Sequence, residues 1–129
     1  MQRLVFLAFF MSITTLAVID FLAVELSLFW VYRWLDIPMH MLGGATVALG
    51  YQSRFMLQRW IARLSFTLPA TIIVVMMVGV SWEIFEYAVG AVVPFGYVFD
   101  TVKDLTDDFI GSILGYYVAR SLIRLQNFL

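Results

Sequence analysis

The sequence predicts an all-α fold, a membrane-embedded bundle of four transmembrane helices with both termini on the inner side. Three observations lead there. Of the 129 residues, 63% are hydrophobic and 13% charged, close to half the charge share of a soluble domain. The apolar runs are long enough to cross a bilayer core of about 30 Å. The charges, finally, separate by face once four spans are laid out in alternating direction. No internal repeat, low-complexity tract or linker divides the chain, so residues 1–129 are expected to form a single transmembrane domain. Cysteine is absent, which excludes disulfides and thiolate metal sites.

The first apolar stretch runs from Leu4 to Tyr32 and ends in Phe29, Trp30, Tyr32 and Trp34, the composition of an aromatic interface belt. It contains Asp20 and Glu25 and lacks a clear small-residue cleavage site, so a retained span is expected rather than a signal peptide. Asp36 reads as an N-cap and Pro38 as a first-turn proline, opening a second helix over 36–53. Gly43, Gly44 and Gly50 on it allow close approach of a neighbour. Arg54, Arg59 and Arg63 follow, interleaved with Phe55, Leu57, Trp60 and Ile61, as in a connector lying at a membrane surface. A third span is expected over 66–88, with Pro69 in its first turn and Glu83 and Glu86 near its end. Gly90, Pro94 and Gly96 mark the next connection. A fourth span is expected over 104–125.

Charge sets the orientation. Arg3, Arg54, Arg59, Arg63, Arg120 and Arg124 fall on one side, and only Arg33 and Lys103 on the other. The positive-inside rule then gives N-in and C-in. With that topology every carboxylate and the sole histidine lie toward the outer face. Asp20, about 25 Å along the first helix, falls in the outer third, with Glu25 near the surface.

The densest chemistry is Asp100–Gly115. Asp100, Asp104 and Asp108 fall at i, i+4 and i+8 on one helical face, which Gly111 and Gly115 continue. Carboxylates about 6 Å apart repel by roughly 3 kcal/mol at an effective dielectric near 20. A cation, a proton or a basic partner is needed there. Asp104 also suits an N-cap, but Asp108 lies a turn too deep for capping. Asp107 points off that face, toward solvent or Lys103. Asp36 and His40 share a face at i, i+4, and Glu83 and Glu86 share another at i, i+3. Three helices thus present acid, acid and imidazole at similar depth, where ionisable groups in a membrane face the bundle interior. Asp36, His40, Glu83, Glu86, Asp100, Asp104 and Asp108 are the candidate ligands. With no thiolate among them, Mg²⁺, Mn²⁺, Ca²⁺ and Zn²⁺ are the candidate ions. Gly43, Gly44, Gly111 and Gly115 are assigned to helix packing.

Three segments carry a resemblance: Asp36-Ile-Pro-Met-His40-Met-Leu-Gly43-Gly44, Trp82-Glu83-Ile-Phe-Glu86-Tyr87, and Asp100 through Gly111 with Gly115. Their order resembles the small bacterial membrane proteins of the VanZ-like and YjdF-like group over residues 36–118. The resemblance implies a multi-pass protein of the bacterial inner (cytoplasmic) membrane, in a group whose named member is associated with lipoglycopeptide resistance. Asp36, His40, Glu83, Glu86, Asp100, Asp104, Asp108 and Gly111 take its motif positions. VanZ-like proteins proper often carry Asn where this chain has Asp108, and the extra charge favours a cation here.

The leading functional expectation is a membrane protein whose outward Asp/Glu/His site binds a cation and, through it, a lipid or cell-envelope phosphate. A second is a metal-assisted hydrolase or transferase on lipid-linked phosphate, with His40 as candidate acid/base. The lack of an arginine clamp on the outer face counts against it, since Arg33 is the only arginine there. A third is a proton- or cation-coupled transporter, which four short spans would serve only as a homo-oligomer. A structural subunit is the fourth. Membrane lipids are expected partners and nucleic acid is not. No HExxH, P-loop, dinucleotide turn or nucleophile elbow occurs.

Overall fold

The computed structural model describes residues 2–53, 66–90 and 96–128, and every regular element in them is helical. The elements are α1 (Arg3–Glu25), α2 (Leu28–Val31), a 3₁₀ turn (Arg33–Leu35), α3 (Asp36–Ser53), α4 (Leu68–Val89) and α5 (Tyr97–Phe128). The arginine-rich connector and Pro94 lie outside the described residues.

Four side-chain contacts fix the directions of the long helices. The backbone N–H of Leu4 donates to Gln126 Oε1 at 3.0 Å, so α1 begins where α5 finishes. Ser12 and Thr46 share a hydroxyl hydrogen bond between α1 and α3. Gln52 Nε2 donates to Thr71 Oγ1 at 2.8 Å, joining the end of α3 to the start of α4. At the opposite end, Thr101 Oγ1 donates to Glu83 Oε2 at 2.7 Å, joining α4 to α5. Consecutive long helices therefore alternate, and α3 and α5 run parallel with their N-termini together.

The interior is built the reverse of a water-soluble core. Among the described residues, nine polar or charged side chains are buried against seven apolar ones, whereas soluble interiors are dominated by apolar groups. Phe10, Met11 and Phe21 of α1 and Met77, Ile84 and Phe85 of α4 face outward. Among the described residues, α1 and α4 are the two helices long and apolar enough to cross a membrane. α3 and α5, which carry the polar residues, make the most extensive contact in the bundle. The small apolar cluster of Val5, Leu49 and Ala119, flanked by Phe9, Leu122 and Ile123, lies at the end where α1 begins and α5 finishes.

Glycine brings α3 and α5 together. A Cβ on Gly111 would overlap the Met41 carbonyl oxygen, and one on Gly115 would meet Ala45 O at 2.6 Å. From the other side, a Cβ on Gly44 would overlap the backbone carbonyl of Asp108. Each obstacle is main chain, so no side-chain rotation could relieve it. The helices can lie this close only because the sequence places small residues on both facing stripes.

Boundaries depart from expectation in three places. The first apolar stretch does not continue to Tyr32 as one helix, because α1 ends at Glu25 and Ser27 takes a left-handed conformation at φ 54°. That conformation costs a residue with a Cβ about 1–2 kcal/mol. Ser27→Gly is therefore expected to raise stability by roughly 0.5–1 kcal/mol, read as a higher melting temperature. Asp36 is the first residue of α3 rather than an N-cap, with helical dihedrals of −58° and −43°, because the 3₁₀ turn feeds the chain directly into the helix. α5 starts at Tyr97 and not near Asp104, behind Gly96 at φ 90°. Its 32 residues span about 48 Å, longer than a bilayer core. Asp104 is consequently the third turn's residue and not a cap.

Candidate functional site

The parallel N-termini of α3 and α5 place Asp36 and Asp100 in first turns, where the helix dipole favours negative charge. One turn into α3, His40 stands among three carboxylates. Its Nε2 is 3.6 Å from Asp36 Oδ1 and 3.9 Å from Asp104 Oδ2, and its Nδ1 is 3.6 Å from Asp108 Oδ1. The imidazole thus has acidic oxygens on both nitrogens, two at the mouth and one deeper in the bundle. Asp104 and Asp108 are buried, and His40 and Asp36 are partly so.

Asp108 sits where three helices converge. Gly43 leaves its Oδ1 at ordinary contact distance, 3.9 Å from where a Cβ would stand. Gly79 of α4 has no Cβ to collide with Oδ2, which would otherwise lie only 2.5 Å away. Gly79 was not among the residues singled out from sequence. Its only sequence signal is that it lies one turn before Glu83, on the same face of α4.

Lys103 supplies the internal cation. Its Nζ donates to Asp36 Oδ2 at 2.5 Å and to Asp104 Oδ1 at 2.6 Å, and lies 3.7 Å from Asp100 Oδ1. Lysine bridges α3 and α5 at the mouth, where sequence reasoning offered it only as a partner for Asp107. One ammonium cannot balance Asp36, Asp100, Asp104 and Asp108 together, so ionised carboxylates leave this end with excess negative charge.

Asp107 differs from expectation outright. It is 8% exposed rather than solvent-facing, and its Oδ2 is buried with no hydrogen-bond partner among the described residues. It lies only 40° from Gly111, which centres the packed stripe of α5, so a residue 60° off the Asp104 direction is enclosed as well. On α4, Glu83 is 5% exposed and takes one hydrogen bond from Thr101, while its Oε1 is buried and unpartnered. Glu86 is partly buried and accepts from Trp82 Nε1 at 2.9 Å. Asp20 is partly buried on α1 and Glu25 is exposed.

The structure therefore brings Asp36, His40, Asp104 and Asp108 into one group, with Asp100 joined to it through Lys103. Glu83 occupies the adjoining α4–α5 seam, and Glu86 is tied to Trp82. Asp36, His40 and Asp104 each offer a ligand atom within 4.8 Å of the others. Ligands about 2.1 Å from one metal ion stand about 3.0–3.5 Å apart. The observed separations from His40 Nε2 to the two carboxylates are 3.6 and 3.9 Å, wider than that by up to about 0.9 Å, so the ligands must close in around an ion. Oxygen donors with one imidazole suit hard or borderline divalent ions, and the orphaned Glu83 oxygen nearby is an acceptor without a donor.

A family model described as a predicted membrane protein, DUF2238, matches residues 2–124. The chain belongs to this family. The matched region takes in α1 through α4 and all but the last turn of α5, and so includes every residue of the acidic group. No curated protein and no solved structure matches the chain.

Proposed function

We propose that this chain is a four-span protein of the bacterial inner membrane, with both termini inside, whose outer end binds a divalent cation on Asp36, His40 and Asp104. The observation that carries the reading is the pair of environments around His40. Nε2 faces the two mouth carboxylates, while Nδ1 faces Asp108. A histidine that ligates a metal commonly gives its other ring N–H to a carboxylate, which fixes the tautomer and turns the free nitrogen to the ion. Asp108, lodged between Gly43 and Gly79, is placed to do this.

A bound cation would neutralise the excess carboxylates and could hold a phosphate oxygen of a lipid or cell-envelope precursor. Arg33, in the 3₁₀ turn leading into Asp36, is the further cation at this end. The orientation rests on the opposite end, where Arg3 opens α1 and Arg120 and Arg124 lie in the last turns of α5. The resemblance to VanZ-like and YjdF-like proteins supports the bacterial inner-membrane assignment.

Melting of the purified protein in EDTA and in Mg²⁺, Mn²⁺, Ca²⁺ or Zn²⁺ tests the reading. An ion at ten times its dissociation constant adds about 1.4 kcal/mol, which should appear as a higher melting temperature in the wild type and vanish in Asp104→Asn. Identical melting in all five conditions would rule the cation site out.

A further inference from the structure

The cation site proposed above has two of its three ligands already engaged. Lys103 Nζ hydrogen-bonds Asp36 Oδ2 and Asp104 Oδ1, while the other oxygen of each carboxylate, Asp36 Oδ1 and Asp104 Oδ2, faces His40 Nε2. An ammonium on one pair of carboxylate oxygens and a divalent ion on the other pair would share the same two negative charges, and like charges a few ångströms apart in a partly buried site repel strongly. Lys103 is partly exposed and carries a flexible four-carbon stem, so its head can leave for the water at the mouth without unwinding α5. Asp100, one turn before it at 3.7 Å and itself more exposed, offers an outward partner for the departing ammonium. The unpartnered, buried Oε1 of Glu83 in the adjoining seam is a second sign of unfilled demand for positive charge that Lys103 does not reach.

We infer that Lys103 is a tethered competitor for the cation: ion binding displaces Nζ from Asp36 and Asp104 toward Asp100, and the lysine sets the affinity of the site. This rests on the cation-binding reading, and it makes the empty and filled states alternatives in which one positive charge replaces another. Lysine thereby keeps the carboxylates paired when no ion is present. It also confines high occupancy to ion concentrations that outcompete it.

The test is Mn²⁺ binding, followed by electron paramagnetic resonance of the free ion, to detergent-purified wild type, Lys103→Met and Lys103→Arg. Size-exclusion elution and circular dichroism establish that each variant is folded. The expected result is binding on the order of ten-fold tighter in Lys103→Met and no tighter in Lys103→Arg, since only the former removes the competing charge. Binding by Lys103→Met with none by the wild type overturns both displacement and the cation-binding reading, because the lysine then holds the carboxylates against every ion offered. Wild-type binding with an unchanged or weaker affinity in Lys103→Met overturns the competitor role and leaves the cation site standing. Absence of binding in all three folded proteins overturns both. Should Lys103→Met fail to fold, Lys103→Gln carries the same comparison.

Discussion

Gly111→Leu is expected to prevent assembly of the bundle, and Gly111→Ala to destabilise it by more than about 3 kcal/mol. Overpacking a core ordinarily costs about 1–3 kcal/mol because side chains around the insertion can shift. At Gly111 the obstacle is the Met41 carbonyl and the Ala45 nitrogen, both main chain of α3. Relief requires the two helices to separate over their whole length, since Gly44 and Gly115 hold the same contact one turn either side. Separation also draws His40 away from Asp104 and Asp108, so ion-dependent stabilisation should disappear with the packing. Leu114→Ala, on the exposed side of α5, serves as the control and should melt close to the wild type. A Gly111→Ala protein that melts with the wild type would show that α3 and α5 are held by something other than this seam.

Much of this arrangement is legible in the chain because helical spacing is strict. Composition and long apolar runs give the all-helical class. Spacing within single helices puts Asp36 with His40, and Asp104 with Asp108, Gly111 and Gly115, on common faces. What spacing cannot supply is the neighbour. Gly79 reads as one glycine in an apolar span until α4 is seen to cross α5 at Asp108. Lys103 has four acidic residues within a turn or so of α5, yet only Asp104 among them takes a hydrogen bond from it, and the other goes to Asp36 on another helix. Asp107 lies 60° from Asp104 but only 40° from Gly111 on the helical wheel, so it falls inside the packed stripe that the glycine, rather than the acidic pair, centres. The break at Ser27 has no periodic signature at all, since the residues on both sides of it are apolar.

Glu83→Leu is expected to stabilise the isolated protein in EDTA by about 1–3 kcal/mol, while weakening the cation binding proposed for this end of the bundle. The carboxylate is 5% exposed, accepts one hydrogen bond from Thr101, and leaves Oε1 buried without a donor. Replacing such a group by an apolar side chain of similar volume removes its desolvation penalty, about 1–3 kcal/mol for a buried polar group left unsatisfied. Thr101 loses an acceptor but can turn its hydroxyl to the carbonyl of Tyr97, one turn back on its own helix. Glu83→Gln keeps shape and a hydrogen-bonding group, so it should fall between the two. Adding the stabilising ion should narrow the gap between wild type and Glu83→Leu, because positive charge close by offsets the cost of the buried carboxylate in the wild type alone. A Glu83→Leu protein that melts below the wild type in EDTA would mean that the glutamate holds α4 to α5 and is structural. Stabilisation on removing Glu83, at the end of the bundle where Asp36, His40 and Asp104 converge, would mark a group kept at a cost to stability, which a binding site requires and a scaffold does not.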